Sequence, residues 1–78
     1  MIATHSIETI SFTQENIILR LDGKEISLPL DKISNKLKVA TEVERNLYSV
    51  SPSGYGIHWP LIDEDLSVDS LLKIANTY

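Results

Sequence analysis

The chain has 78 residues, no cysteine and a formal net charge of −4, with eleven acidic against seven basic side chains. This length allows one domain at most, and the lack of cysteine excludes disulfides and thiolate zinc sites, so stability depends on apolar packing or on a partner. Because the charge is negative and the basic residues are scattered, we expect no nucleic-acid binding by this chain alone.

The distribution of apolar residues indicates a soluble protein. No apolar run approaches the roughly 20 residues that cross a bilayer, and residues 1–5 carry no basic region followed by an apolar core. We therefore expect a cytoplasmic chain without membrane association, folded as a single small α+β domain over residues 1–78.

The first half of the chain predicts a three-stranded antiparallel meander, with strands near residues 7–13, 16–21 and 25–30. Asp22-Gly23 lies between the second and third runs, and this dipeptide is typical of a two-residue type I′ turn, which needs positive φ at both positions.

The turn length also predicts the register of this hairpin. A two-residue loop places Leu19 opposite Ile26 on one face and Arg20 opposite Glu25 on the other, so apolar meets apolar and charge meets opposite charge. Pro29 has no N–H to donate, which predicts that it lies at a strand end or on a sheet edge, and we expect the edge.

A helical period replaces the strand period after Pro29. Asp31 is a plausible N-cap, and Thr41 with Glu44 forms a capping-box pattern inside the same segment, so residues 32–46 form either one helix or two short ones. The apolar stripe of this segment, expected to pack on the sheet, consists of Ile33, Leu37, Ala40, Val43 and Leu47.

A second hairpin is predicted near residues 47–59, with its turn at residues 51–54, where proline and glycine suit a tight turn. Strand alternation places Tyr55, Ile57 and Trp59 on one face, with Gly56 and His58 on the other.

A C-terminal helix is predicted near residues 68–75. Ser67 suits its N-cap, and Leu66 with Leu71 suits a hydrophobic staple. The helix dipole accounts for the preceding acids without any functional role, because carboxylates are favoured near a helix amino terminus. These acids are Asp63, Glu64 and Asp65.

The sequence contains few residues that could support catalysis or metal binding. His58 with Asp63 or Asp65 could form an acid–base pair, but no serine sits in a nucleophile elbow. Zinc would need two more ligands beside His58 and Asp63, and His5 is expected in a frayed terminus; the EF-hand spacing for calcium is absent. We therefore expect no catalytic residue, no metal and no cofactor.

Tyr55 and Trp59 allow two interpretations. They are either core anchors between the second hairpin and the last helix, or part of a partner-binding surface whose acidic rim suits a basic or arginine-bearing partner. The candidate partner-binding residues are Tyr55, His58, Trp59, Pro60, Asp63, Glu64 and Asp65.

Several of these residues also carry a resemblance to a known family. Gly54–Pro60 followed by Asp63–Val68 resembles the carboxy-terminal signature of the bacterial family catalogued as domain of unknown function 2442. Leu21–Leu30 is similar to that family's Asp-Gly hairpin and the Pro-Leu that follows it. Lys32–Leu37 departs from the pattern, so the resemblance does not define where the middle helix begins.

The resemblance implies a small α+β module, in some members fused to a helix-turn-helix domain and often encoded beside another small protein in what resembles a toxin–antitoxin pair. No catalytic residues come with it. We therefore expect a non-enzymatic protein-interaction module, in its more specific form the antitoxin-like member of such a pair. Its partner would be the product of a neighbouring gene or a second copy of the chain. The alternative is a cation- or small-ligand-responsive module using His58 and Asp63–Asp65.

Overall fold

The computed structural model describes residues 5–77, so residues 1–4 and 78 of the predicted domain lie outside the described part. The fold is α+β and comprises two three-stranded antiparallel sheets, ordered β1-β2-β3 and β4-β5-β6, together with four helices among the described residues. The elements are β1 Ile7–Phe12, β2 Asn16–Leu21, β3 Lys24–Pro29, α1 Leu30–Ile33, α2 Asn35–Val39, α3 Glu42–Asn46, β4 Ser49–Val50, β5 Gly56–Trp59, β6 Glu64–Ser67 and α4 Val68–Thr77.

The first sheet confirms the predicted hairpin. Leu19 pairs with Ile26 and Arg20 with Glu25, as the two-residue loop requires. Asp22 and Gly23 both have positive φ, 51° and 78°, the backbone of a primed turn. Because Pro29 ends the edge strand β3, its missing N–H costs the sheet no hydrogen bond.

The middle segment forms three short helices instead of the one or two predicted. Ser34 and Ala40 adopt extended backbone and separate α1 from α2 and α2 from α3. Each break resets the helical phase, so the predicted stripe does not face the sheet as one unit. Leu37 is fully buried, but Val43 is 72% exposed, and the expectation that it packs on the sheet was wrong.

The caps of these helices explain where they begin. Thr41 and Glu44 make the reciprocal hydrogen bonds of a capping box, which confirms that prediction. Asp31 is not an N-cap: α1 begins at Leu30 directly after Pro29, and Asp31 lies in its first turn. The Ser34 hydroxyl caps α2 by accepting from the Leu37 N–H at 3.1 Å.

The second sheet contains a strand that was not predicted. Glu64 and Asp65 belong to β6, paired with Trp59 and His58 on β5, and do not simply precede a helix. Acidic residues have low strand propensity, so only the backbone pairing with β5 shows this strand. Ser67 then caps α4, its Oγ accepting from the Ser70 N–H at 3.3 Å, as predicted.

The core lies where the two sheets and α4 meet. Trp59 is fully buried at its centre, and its Nε1–H donates to the carbonyl oxygen of Arg45 at 2.9 Å. The rings of Phe12 and Tyr48 lie 6.4 and 6.2 Å from the Trp59 ring. The buried apolar residues are Ile17, Leu19, Leu21, Leu28, Leu30, Leu37, Ile57, Trp59, Val68 and Leu71.

Arg45 joins the helical segment to the first sheet. Its guanidinium donates to four backbone carbonyl oxygens at 3.0 to 3.2 Å and lies 5.3 Å from the centre of the Phe12 ring. The acceptors are Leu37 and Lys38 in α2 and Thr13 and Gln14 in the β1–β2 turn. One side chain therefore satisfies carbonyls at the end of α2 and in the turn.

His5 is held in place by backbone and side-chain contacts, so the expected fraying at this residue was wrong. The His5 N–H donates to the Ser53 carbonyl at 3.1 Å, and its imidazole contacts Asp22 and Asp69. Gly54 is buried beneath it: a Cβ added at Gly54 would overlap the His5 carbonyl oxygen.

The two glycines with positive φ are therefore expected to differ when replaced. Gly23→Ala should cost about 1 kcal/mol from backbone strain alone, since a Cβ there meets nothing within 4 Å. Gly54→Ala should cost about 2 kcal/mol, because the same strain is joined by displacement of the His5 backbone. Urea unfolding followed by circular dichroism compares the two, and equal losses would show that His5 does not pack on Gly54.

Candidate functional site

The outer face of the second sheet brings together side chains from three strands. Along β5, Ile57 and Trp59 point into the core, so Gly56 and His58 face outward. His58 pairs with Ser49 on β4 and with Asp65 on β6, which places all three residues on that outer face.

An open groove of about 590 Å³ runs across this face. Gly56 forms part of the groove floor and leaves it open because it has no side chain. A Cβ added at Gly56 would lie 3.6 Å from the Leu66 carbonyl oxygen, the nearest atom. Tyr55 and Val50 line it and are 47% and 38% exposed. The outer groove, as we name it, is lined by Ser49, Val50, Ser51, Pro52, Tyr55, Gly56, Ile57, His58, Asp65, Leu66 and Ser67.

The β4–β5 turn shapes one wall of the outer groove. The Ser51 Oγ accepts from the N–H groups of Tyr55 and Gly56, both at 3.1 Å, and the Gly54 N–H donates to the Ser51 carbonyl at 2.8 Å. Gly54 has φ 70°, which permits this tight turn and confirms the predicted turn at residues 51–54. The Tyr55 backbone is thus held while its ring stays half-exposed.

His58 and Asp65 form the polar wall. His58 Nδ1 lies 2.7 Å from Asp65 Oδ1, with 42% and 75% of the two side chains exposed. A carboxylate can only accept, so the ring donates from Nδ1, and in the neutral imidazole Nε2 is left as an acceptor. This wall therefore offers hydrogen-bond acceptors and one negative charge.

The structure gathers only part of the candidate set. Tyr55, His58 and Asp65 line the outer groove together. Trp59 lies on the opposite face of β5 and is fully buried, so of the two interpretations it takes the role of core anchor. Its neighbour Pro60 is exposed in the turn after β5, beyond the groove lining.

The other two acids serve the connection between β6 and the helices. Glu64 Oε2 accepts from the Ser34 hydroxyl at 2.5 Å, and Asp63 has φ 51° in the turn before β6. The Asp63 carbonyl accepts from Lys36 Nζ at 3.0 Å. Neither side chain lines the outer groove, so the alternative cation site keeps only His58 and Asp65 as neighbours.

The wall of the β4–β5 turn was missed by sequence reasoning. Val50 and Pro52 supply its apolar surface, but their contribution follows only from the turn folding over β5. The signal that could have identified Asp65 as a neighbour of His58 is a strand at residues 64–67, which the acidic sequence there concealed.

Among residues 5–77, no three or more histidine, cysteine or acidic side chains converge as metal ligands. In the same part of the chain, none of the helices combines the length and the apolarity needed to span a bilayer.

Comparisons with known proteins agree with the sequence resemblance. Residues 7–77 match the family described as "Protein of unknown function (DUF2442)". The chain belongs to the DUF2442 family. No curated protein matches it. A crystal structure of a protein of unknown function from Rhodospirillum rubrum is similar to this DUF2442 chain with a TM-score of 0.69 and 22% identity, covering 88% of this chain and 86% of that one. The two proteins share a fold.

Proposed function

We propose that this DUF2442 chain is a non-enzymatic protein-interaction module that binds a segment of a partner protein in the outer groove. The observation that carries the proposal is the groove itself, because it combines a half-exposed tyrosine, apolar surface and a histidine–carboxylate pair within about 590 Å³. Exposed aromatic rings beside polar groups are typical of interface hot spots.

The chemistry of the groove favours a basic segment. Asp65 supplies a negative charge and His58 Nε2 a hydrogen-bond acceptor, which together suit the N–H groups of an arginine or lysine side chain. The exposed face of the Tyr55 ring can stack on a guanidinium. The net charge of −4 attracts a basic partner at longer range.

Arginine fits this site better than lysine for a geometric reason. A planar guanidinium can donate to Asp65 while its face lies on Tyr55, whereas an ammonium is a compact charge that cannot stack in this way. The exposed ring of Pro52 would cover the residues beside that arginine.

The more specific form of the proposal is an antitoxin-like role, with the product of a neighbouring gene as the partner. The small size, the acidity and the groove support this role, because a small acidic chain can act by covering a basic surface of its partner. A second copy of the chain is the other possible occupant of the outer groove, and the experiments below distinguish it from a basic partner.

The experiment has two parts. Selection from a random dodecapeptide library on the immobilised chain should enrich arginine, and a pull-down with the neighbouring gene's product should capture that protein. Calorimetry then compares groove variants with exposed positions elsewhere. Tyr55→Ala and Asp65→Asn should each weaken binding by about tenfold, while Val43→Ala and Asp31→Asn, their exposed controls outside the groove, should not.

Gly56→Ala is the sharpest variant, since the added methyl occupies the groove floor at an ordinary contact distance and leaves the fold intact. It should weaken binding as strongly as Asp65→Asn while unfolding at the wild-type urea midpoint. Enrichment of acidic peptides, or unchanged affinity in all three groove variants, would overturn the proposal. A dimer in light scattering that Gly56→Ala dissociates would replace the basic partner with a second copy.

A further inference from the structure

His5 lies between two carboxylates from distant parts of the chain. Its Nδ1 is 2.9 Å from Asp22 Oδ2 in the β2–β3 turn, and its Nε2 is 2.9 Å from Asp69 Oδ1 in the first turn of α4. Only 10% of the imidazole side chain is exposed, although both carboxylates reach solvent. The ring therefore bridges the first hairpin and the last helix.

The backbone around His5 extends this bridge to a third segment. The Ser6 N–H donates to Asp22 Oδ1 at 2.8 Å, and the Asp22 N–H donates to the Ser6 carbonyl at 2.9 Å. The His5 N–H donates to Ser53, and the His5 carbonyl lies over Gly54. Ser53 and Gly54 belong to the β4–β5 turn, whose Ser51 and Pro52 line the outer groove.

The number of donors on the ring decides which protonation state this geometry suits. A neutral imidazole carries one N–H and one lone pair, whereas the imidazolium donates from both nitrogens. Both partners of His5 are carboxylate oxygens, which only accept. Loss of the proton therefore leaves a lone pair facing a carboxylate at hydrogen-bond distance.

We propose that His5 is a proton-controlled latch that fastens His5 and Ser6 over the β4–β5 turn when the imidazole is protonated and releases them when it is neutral. Release removes the contacts of His5 with Ser53 and Gly54. The neighbouring Ser51 and Pro52, which form a wall of the outer groove, can then move. This consequence for binding rests on the proposed function, whereas the latch itself is a property of the isolated chain.

The electrostatics of the cluster agree with this assignment. The hydrogen bonds to Asp22 and then Asp69 raise the pKa of His5 above its usual 6.5, against the lowering effect of burial. The Ser6 N–H and then His5 lower the pKa of Asp22 below 3.8. The charged groups facing the latch are Asp22, with Lys24 beside it, and Asp69 on α4. Residues 51–54, which include the Ser53 and Gly54 that His5 contacts, carry no titratable side chain.

The sign of the pH dependence follows from these directions. Because the pKa of His5 is raised by folding, its stabilisation is complete below about pH 6.5 and is lost as pH rises through the raised value. Because the pKa of Asp22 is lowered, its stabilisation is present above about pH 3.8 and is lost as pH falls through the lowered value. The latch is therefore closed between the lowered pKa of Asp22 and the raised pKa of His5, and it opens as pH rises through the latter.

Nuclear magnetic resonance of the chain without any partner tests the latch between pH 4.5 and 9. The ring protons of His5 should titrate with a midpoint above 6.5, and the amide signals of Ser53 and Gly54 should move with the same midpoint. Asp69→Asn removes one negative charge and supplies an amide N–H that can donate to the neutral ring, so both midpoints should shift toward 6.5. Asp65→Asn, which removes the carboxylate paired with the other described histidine, should leave both unchanged.

His5→Gln separates the latch from a merely structural contact, because its amide cannot titrate. In that variant the Gly54 amide should keep one position across the range, while His58→Gln should preserve the wild-type titration. A His5 midpoint at or below 6.5, or Gly54 signals that ignore His5, would overturn the latch. If the latch titrates but library peptides bind equally at pH 6 and pH 8.5, only its link to the proposed function fails.

Discussion

Arg45→Lys is expected to lower the free energy of unfolding by about 3 kcal/mol, because one ammonium cannot reach the four carbonyl oxygens that the guanidinium fork satisfies. The variant keeps the positive charge, so the loss reports donor geometry. It would leave half-buried carbonyls of α2 without this donor, which is costlier than never having formed the bonds, whereas the exposed carbonyls of the β1–β2 turn can bond to water.

Arg20→Lys provides the matched control for this prediction. Arg20 Nε donates to Glu8 Oε2 at 3.0 Å, but both side chains are nearly half-exposed, so the substitution should cost less than about 0.5 kcal/mol. Urea unfolding at pH 7, followed by circular dichroism, compares the two variants, provided that the free energy of unfolding falls with urea concentration at the same slope in both. Similar losses would mean that the carbonyl contacts of Arg45 contribute no more than a surface ion pair.

Trp59→Phe is expected to cost about 3 kcal/mol, because it combines a lost hydrogen bond with a cavity at the centre of the core. The indole N–H donates to the Arg45 carbonyl, and the ring is fully buried against Phe12 and Tyr48. The cavity cannot close easily, because Phe12 is held in the first sheet and Tyr48 in the segment that precedes β4.

Tyr55→Leu, which changes the half-exposed aromatic of the same hairpin, should cost less than about 1 kcal/mol. Thermal unfolding is followed by circular dichroism, since the variant removes the chain's only tryptophan. If Trp59→Phe is as mild as Tyr55→Leu, the core does not depend on the indole.

Together these predictions distinguish the face of β5 that stabilises the fold from the face proposed to bind a partner. Trp59 and Arg45 hold the inner face of the strand, and His58 with Tyr55 and Asp65 forms the outer groove on the opposite face. A Trp59 variant would weaken partner binding by destabilising the fold, so it cannot identify a binding surface. Binding tests belong on the outer face, where substitutions leave the core intact.

Part of the candidate site could be predicted because strand alternation is a local property. Once Gly56 to Trp59 is recognised as a strand, His58 must point away from Trp59. The prediction that Tyr55 shares a face with Trp59 was wrong, because Tyr55 precedes the strand and lines the outer groove. Which of the two faces is buried depends on what packs against it, so the placement of Trp59 stayed open. Asp65 was named for its place in an acidic cluster, but its contact with His58 depends on the pairing of β5 with β6.

The family resemblance likewise depends on local features of the backbone and not on contacts between distant residues. The family match covers residues 7–77, whereas the sequence resemblance rests largely on Gly54 to Val68, where glycines, proline and a capping residue have strict backbone requirements. Those residues mostly build the turn, the strand and the cap of α4, and only some reach the groove. A strong family signature therefore says more about the fold than about a partner.

The sequence by itself determined the elements governed by neighbouring residues: the Asp22-Gly23 hairpin and its register, the Thr41 capping box and the start of α4 at Ser67. Tertiary structure alone decided the contacts between residues far apart in the chain, above all the carbonyl contacts of Arg45 and the His5 bridge to Asp22 and Asp69. The physical reason is that turns and caps depend on local backbone geometry, whereas a buried donor takes whichever acceptors packing brings within 3 Å.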